Sequence, residues 1–245
     1  MSPIEIRLIL SLLTPSAVVG RSKIRLGDEG DGGYVVLDHL APAGICLSLG
    51  VGDNVSFDLA LAERGYDVLQ YDHTITGPPI SHERFRFHRI GISDRLPSRE
   101  GFQSVTEVLE THNLRRREDL ILKMDIEGSE WGAIPLMTPE DLAHFNQICI
   151  EFHNLGQMTR PIFAEMAAAV FRHLRHTHVA IHVHGNNYRP MHNVLGIPVP
   201  DVLEITLVRR RSYEFLPSTE IFPTVIDYPN KPEIPDLFLG NFRFV

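Results

Sequence analysis

Three acids and a glycine follow directly on an apolar run in Leu120-Ile121-Leu122-Lys123-Met124-Asp125-Ile126-Glu127-Gly128-Ser129-Glu130-Trp131. A run of this length bounded by turn signals reads as a buried strand. Polar groups just past its end lie at the rim of a core, where open α/β sheets bind ligands. Glu127 and Glu130 read as turn and helix-start residues, because the first turn of a helix favours acids. Asp125 stands on the strand side of the turn, and that account does not cover it. A second run, Ile148-Cys149-Ile150, ends in Glu151-Phe152-His153. Strand alternation puts Glu151 and His153 on one face, and adjacent strands would bring Asp125 and Glu151 to about 5 Å. Such a set can work in two ways. Asp125 or His153 can serve as a general base, an unperturbed imidazole being poised near neutral pH. Or Asp125, Glu151 and His153 can hold a divalent cation, and oxygen-rich ligands with one imidazole suit Mg2+ or Mn2+. Without chemistry, Glu151 would bond nearby backbone groups and His153 would be a satisfied core histidine.

Polar residues recur at the ends of the other apolar runs. Gly44 to Leu49 opens into Gly50-Val51-Gly52-Asp53-Asn54. Helical spacing of Val55, Leu59, Leu61 and Ala62 follows, and then a strand from Asp67 to Tyr71 ending at Asp72. Strand, glycine turn, helix, strand and carboxylate make a βαβ unit. Asp72 lies 20 residues beyond Gly52, where an acid can accept both ribose hydroxyls of a nucleoside. Ser93-Asp94 follows an alternating edge strand from Arg84 to Ile92, and His184 to Asn187 ends the strand beginning at His178. Polar groups at six strand ends point to a ligand cleft along one edge of a sheet.

The elements that must carry these groups alternate between strand and helix over residues 44–208, which predicts a Rossmann-like, doubly wound, mostly parallel α/β sheet. Seven strands are expected. The last two have no clear helix between them, so the final one is antiparallel. Helices are expected at Ile4–Leu13, Ser104–His112, Trp131–Met137 and Pro161–Leu174. Residues 1–43 form an N-terminal helix and a glycine-rich segment, Gly27 to Gly33, able to approach a ligand closely or simply to turn a hairpin. Residues 211–245 carry five prolines and read as an extended wrap pinned by aromatics. His182 and His184 share a face of a strand that, at the sheet edge, is two strands from Glu151. They reach the site only if the following loop folds back.

Composition narrows the function. A net charge of −8 argues against nucleic acid as a partner. The clusters Arg115-Arg117 and Arg209-Arg211 are short, as solvated faces are. Cys46 and Cys149 lie inside apolar runs and read as core residues, which makes a reducing cytoplasm the default. No stretch is apolar enough to span a membrane, and the first residues lack a signal-peptide layout. A homodimer through the first helix is compatible with the pattern, and the oligomeric state is open.

The run Leu122-Lys123-Met124-Asp125-Ile126-Glu127-Gly128-Ser129-Glu130, the strand end Ile150-Glu151-Phe152-His153 and the segment Asp31-Gly32-Gly33-Tyr34 together resemble the class I S-adenosylmethionine-dependent methyltransferases, and within them the FkbM-like family. The resemblance covers about residues 23–210. It implies an enzyme that uses S-adenosylmethionine to methylate a hydroxyl of a small-molecule or sugar-containing metabolite. It further implies that the Gly50-Val51-Gly52 backbone approaches the methionine part of the cofactor, that Asp72 binds the ribose, and that Ser93 and Asp94 flank the adenine. Asp125 would lie near the transferred methyl, with Asp31 and Tyr34 covering the cofactor. Two places depart from the family pattern. Ser48 stands where an acid is usual and Asn54 where a third glycine is, so the cofactor's ammonium would turn to Asp53 or Asp31. Gly50-x-Gly52-x-x-Val55 also lacks the third glycine of a dinucleotide fingerprint, which counts against a nicotinamide-dependent oxidoreductase. A module that binds cofactor without turnover is the other alternative.

Overall fold

In the computed structural model, which describes residues 1–244, the apolar runs form one seven-stranded sheet. Its strands are β1 (Ile45–Leu49), β2 (Asp67–Tyr71), β3 (Phe85–His88), β4 (Leu120–Met124), β5 (Phe145–Phe152), β6 (His178–Gly185) and β7 (Leu203–Arg209). Their order across the sheet is β6-β7-β5-β4-β1-β2-β3. From β1 the chain moves outward to β2 and β3, then returns to the other side of β1 as β4. This reversal is the topological switch point where such sheets bind ligands. The expected α/β architecture is thus present, with β3 at one edge. The last strand, β7, is antiparallel to both its neighbours, β5 and β6. It sits inside the sheet, and β6 forms the outer edge. β4 and β5 are parallel neighbours with Met124 opposite Ile150, so Asp125 and Glu151 leave the sheet side by side.

Every strand but the edge strand β3 is buried along nearly its whole length, and so on both faces, as mostly apolar runs require, whereas in β3 only Phe85 is fully buried. Helices α1 (Pro3–Ser11), α2 (Ser56–Ala62), α3 (Val105–Thr111), α4 (Glu130–Leu136), α5 (Pro139–Ala143) and α6 (Pro161–Thr177) cover them. Residues of α1, α3, α4, α5 and α6 share one large apolar cluster, and those of α2 share a second, smaller one. Ser104 and Thr138 start α3 and α5 with capping boxes completed by Glu107 and Asp141. Pro161 opens α6, whose Ala164, Ala167, Ala168, Phe171 and Leu174 are buried. Trp131 stands at the centre of that side, its ring against Phe152, Phe163 and Phe171. Among the described residues no helix is long and apolar enough to cross a membrane. Cys46 and Cys149 are free and buried.

Two segments outside the alternating core are fastened to it by buried polar bonds. The glycine-rich segment is the loop of a hairpin, Lys23–Leu26 paired with Tyr34–Leu37. The amide of Gln147 on β5 accepts from Leu37 N–H at 2.9 Å and donates to Leu37 O at 3.1 Å. The hairpin thereby lies across the sheet and carries Asp31 and Tyr34 toward the switch point. The tail runs back over the β6 edge, with Phe222 and Phe242 buried. His182 Nε2 lies 2.7 Å from Asp227 Oδ1, and His184 lies between Glu204 Oε2 at 3.1 Å and Asp236 Oδ2 at 2.9 Å. These edge histidines therefore hold the tail and stay two strands from Glu151.

Burial alone would lower the His184 pKa, but its two carboxylates outweigh that and push it up to about 10. An unfolded histidine titrates near 6.5. The His184 contribution is therefore complete below that pH and is lost as pH rises through about 10. In melting experiments across this window, Asp236→Ala should cost about 2 kcal/mol near neutral pH and flatten the alkaline loss of stability seen in the parent chain.

Candidate functional site

The ends of β1, β2 and β4 open on a cleft of about 480 Å³. Its floor is the glycine turn after β1. Gly50 has φ +78°, and a Cβ there would meet the Asp125 carbonyl oxygen at 1.6 Å. No other residue type allows the β1 and β4 ends to approach so closely. Gly52, at φ +60°, faces open space, with nothing within 4 Å of an added Cβ. Asp72 at the end of β2 holds this turn in place. Its Oδ2 accepts from Val51 N–H at 2.9 Å and Gly52 N–H at 3.0 Å, while Oδ1 accepts from the Thr74 N–H and hydroxyl at 2.7 and 2.6 Å. Against the burial that opposes it, these bonds lower the Asp72 pKa to about 2. All four lone-pair positions of the carboxylate are taken, so ribose hydroxyls would have to displace a donor such as the Thr74 hydroxyl.

Beneath the turn lies Lys123, buried on β4 and donating to the Gly50 carbonyl. Its Nζ is 3.5 Å from Asp125 Oδ2. Burial depresses the ammonium, but Asp125, Asp58 and Glu151 more than compensate and raise it. Asp58 of α2 also lines the cleft, buried and accepting from Gln70 Nε2 at 2.7 Å. Neither Lys123 nor Asp58 is assigned a role by the sequence pattern. A lone lysine inside an otherwise apolar strand is the one signal that could have marked the first.

Asp31, Tyr34, Gly50, Gly52, Asp53, Asp72 and Asp125 all line the cleft. Asp31 accepts from Asn230 Nδ2 of the tail at 3.2 Å, and burial raises its pKa. Tyr34 packs edge-on against Phe57. Asn54, in the place of the third glycine, donates to the Asp31 carbonyl at 2.8 Å and joins the hairpin to the glycine turn. Ser93 and Asp94 are not brought to the cleft. Beyond His88 the chain forms a short pairing of residues 91–92 with 102–103 and turns away. The Ser93 hydroxyl donates to Arg95 O at 2.8 Å, and Asp94 packs on Gly132 of α4. At that end the cleft is lined instead by His73, Ile92, Arg99 and Phe102, with the Arg99 guanidinium 3.6 Å from the Phe102 ring centre.

Beside Asp125, on the β4–β5 side, acids converge on His153. Its Nδ1 lies 3.0 Å from Glu130 Oε1. Its Nε2 lies 3.5 Å from Glu127 Oε2, 3.8 Å from Asp125 Oδ1 and 3.9 Å from Glu151 Oε1. Trp131 Nε1 fixes the backbone by donating to His153 O at 2.9 Å. Burial lowers the His153 pKa, and the bond to Glu130 with the charges of Asp125 and Glu127 brings it above the ordinary value. Glu151, which accepts from Asn186 Nδ2 at 2.8 Å, is held well above the carboxylate range by burial and by Asp125, Glu204 and Asp31. The reading of Glu130 as a helix-start residue is too narrow. It is fully buried, caps the turn by accepting from Ile126 and Gly128 N–H, and with Asp125 and His153 forms a trio whose ligand atoms lie within 4.8 Å. Nothing in local spacing marks it, because its partner is 23 residues away.

No family model matches the chain, and no curated protein matches it. A solved structure from Anabaena variabilis, described as a candidate methyltransferase from an antibiotic biosynthesis pathway, aligns at 12% identity and a TM-score of 0.32. The alignment covers 58% of this chain and 59% of that one, under two thirds of the neighbour's length. A likeness at that level carries no argument, and the fold rests on the sheet order itself.

The role of Asp72 is testable without any ligand. Asp72→Ala should leave the sheet folded at a cost of about 1–3 kcal/mol while amide exchange at Val51 and Gly52 accelerates. Unchanged protection at those two amides would contradict its place as the anchor of the turn.

Proposed function

We propose that the chain is an S-adenosylmethionine-dependent methyltransferase that methylates a hydroxyl on a small-molecule or sugar-containing metabolite. The observation that carries this reading is the glycine turn at the switch point, clamped by Asp72 and opening on the cleft that ends at Asp125. The sheet is consistent with a Rossmann-like methyltransferase fold. The residues present suit the cofactor: a Cβ-free backbone at Gly50 and Gly52 for close approach, and Asp31, Asp53 or Asp58 to meet an ammonium. Loss of the acid before the first glycine is offset by Asp58, which comes from α2 to the same side of the turn.

S-adenosylmethionine held by the Gly50–Gly52 turn would supply an electrophilic methyl on a sulfonium for displacement by the acceptor oxygen. The chain must orient the acceptor and take its hydroxyl proton. Asp125 is the group on the cleft wall suited to that task. Its Oδ2 is held toward Lys123 and its Oδ1 faces His153 Nε2, so a proton arriving at Asp125 has an imidazole behind it. Glu130 orients that imidazole and holds Nδ1, and the Trp131 bond keeps the strand end from drifting. General acid–base groups of this kind contribute about 10²–10⁴-fold in rate.

Calorimetry with S-adenosylmethionine and its demethylated product tests the assignment, and absence of binding by both would sink it. In a labelled-methyl screen over hydroxyl acceptors, Asp125→Asn should lower kcat by about 10²–10⁴-fold while cofactor affinity changes little. Cofactor binding with no turnover on any acceptor would favour a non-catalytic binding module.

A further inference from the structure

We propose that Tyr34 selects the methyl acceptor, its hydroxyl donating a hydrogen bond to an uncharged oxygen of the acceptor that lies beside the hydroxyl facing Asp125. This assignment rests on the methyl-transfer reading and adds a second point of recognition to it. Tyr34 is 5% exposed and lines the cleft. Its ring packs edge-on against Phe57, with 5.2 Å between ring centres. Its strand pairs with Lys23–Leu26, and the Val35 carbonyl accepts from the Thr206 hydroxyl of β7. The side chain is thus held in place. Among the described residues its hydroxyl has no hydrogen-bond partner, and it is not one of the unpartnered polar atoms sealed away from solvent. Buried tyrosine hydroxyls ordinarily find a partner. A phenol held this firmly, with its oxygen open to a ligand cleft, is a donor kept for a ligand atom.

Position and charge together identify that atom. Lys123 Nζ lies 5.9 Å from the centre of the Tyr34 ring and 3.5 Å from Asp125 Oδ2. The phenol and Asp125 therefore flank the same ammonium, on the side of the cleft where the acceptor hydroxyl gives up its proton. Burial pushes the phenol well above its ordinary pKa, and Asp125, Glu151, Glu204 and Asp31 push it further. The group stays protonated and donates. Acids on this side disfavour an anion as its partner. Lys123 does not offset them for a ligand, since its ammonium is engaged by the Gly50 carbonyl and Asp125. The carboxylate of the cofactor is therefore a poor match for this hydroxyl, although Tyr34 belongs to the segment expected to cover the cofactor. A hydroxyl, ether or carbonyl oxygen of the acceptor matches it.

Two anchors on one small molecule define a class of acceptor. Asp125 accepts from the reacting hydroxyl, Tyr34 donates to a second oxygen, and an anionic group near either is disfavoured. Neutral polyols, with the sugar ring as their compact form, meet all three conditions. Simple alcohols lack the second oxygen, and uronic acids and sugar phosphates bring the wrong charge. A site that hydrogen-bonds a substrate oxygen discriminates strongly against the analogue without it.

The experiment begins with calorimetry of the full chain and the demethylated cofactor. Labelled-methyl transfer is then measured on neutral methyl hexopyranosides and inositols, their monodeoxy analogues, and the corresponding uronic acids and sugar phosphates. Neutral members should be methylated and their charged counterparts should not. Tyr34→Phe removes one oxygen and keeps the ring against Phe57. It should lower kcat/KM for a methylated member about 5–100-fold, seen as a rise in KM, and leave affinity for the demethylated cofactor unchanged. One monodeoxy analogue should show the same loss with the parent chain and no further loss with Tyr34→Phe, a coupling that a merely structural role would not produce. Methylation of no panel member by a chain that binds the demethylated cofactor overturns the proposal. So does a Tyr34→Phe loss equal across all analogues, or one that falls on cofactor affinity instead. A parent chain that does not bind the demethylated cofactor defeats the methyl-transfer reading itself, and this assignment with it, at the first step.

Discussion

The buried ammonium of Lys123 is the charge on which the cleft depends. It lies at the bottom of a bowl of acids, Asp58 from α2, Asp125 from its own strand and Glu151 from the next. Without it those carboxylates would repel one another at low dielectric, and the Gly50 carbonyl would lose its donor. The lysine therefore does two mechanical jobs through one group. It holds the glycine turn down from below while Asp72 holds it from the side. It also draws Asp125 Oδ2 inward, leaving Oδ1 to face His153.

Against this centre the two ends of the cleft differ in kind. The turn and Asp72 are satisfied by internal bonds and form a preorganised cradle, as a cofactor site requires. The Asp125–His153 end has buried oxygens without partners and excess negative charge. A well-ordered cradle beside an electrostatically incomplete corner is the division expected when one region binds and the adjacent one performs chemistry. The hairpin and tail roof the first region through Asp31 and Asn230.

Much of the fold was legible because parallel strands buried on both faces are written as continuous apolar runs. The polar residue that ends each run marks the C-terminal edge of the sheet. The lateral order of β5, β7 and β6 was not, since nothing local says that the last strand inserts between its predecessors. Asp125, Glu151 and His153 were legible as strand-end groups that come together. Glu130 was not, because the same residue serves as an ordinary first-turn acid, and only the fold reveals His153 beside it. Ser93 and Asp94 were expected at the cleft from a strand read through to Ile92. That strand stops at His88, and a few residues of different path rotate both side chains away. Asp58 carries no signal of its own in the sequence, since it stands in the first turn of a helix, where an acid is ordinary.

One bond of the tail bears on how the molecule is assembled. Asn230 Nδ2 donates to Glu204 Oε1 at 2.6 Å and to Asp31 Oδ1 at 3.2 Å. It thus ties together segments separated by 199 residues in the second case. Contacts of such sequence separation come late, because loop closure must precede them. During synthesis the strands from β1 to β4 and the Gly50 turn have all been made well before residue 230 emerges. The residues of the Gly50 turn and of Asp125 are thus made before Asn230, and the contact of the tail with Asp31 can be added only afterwards.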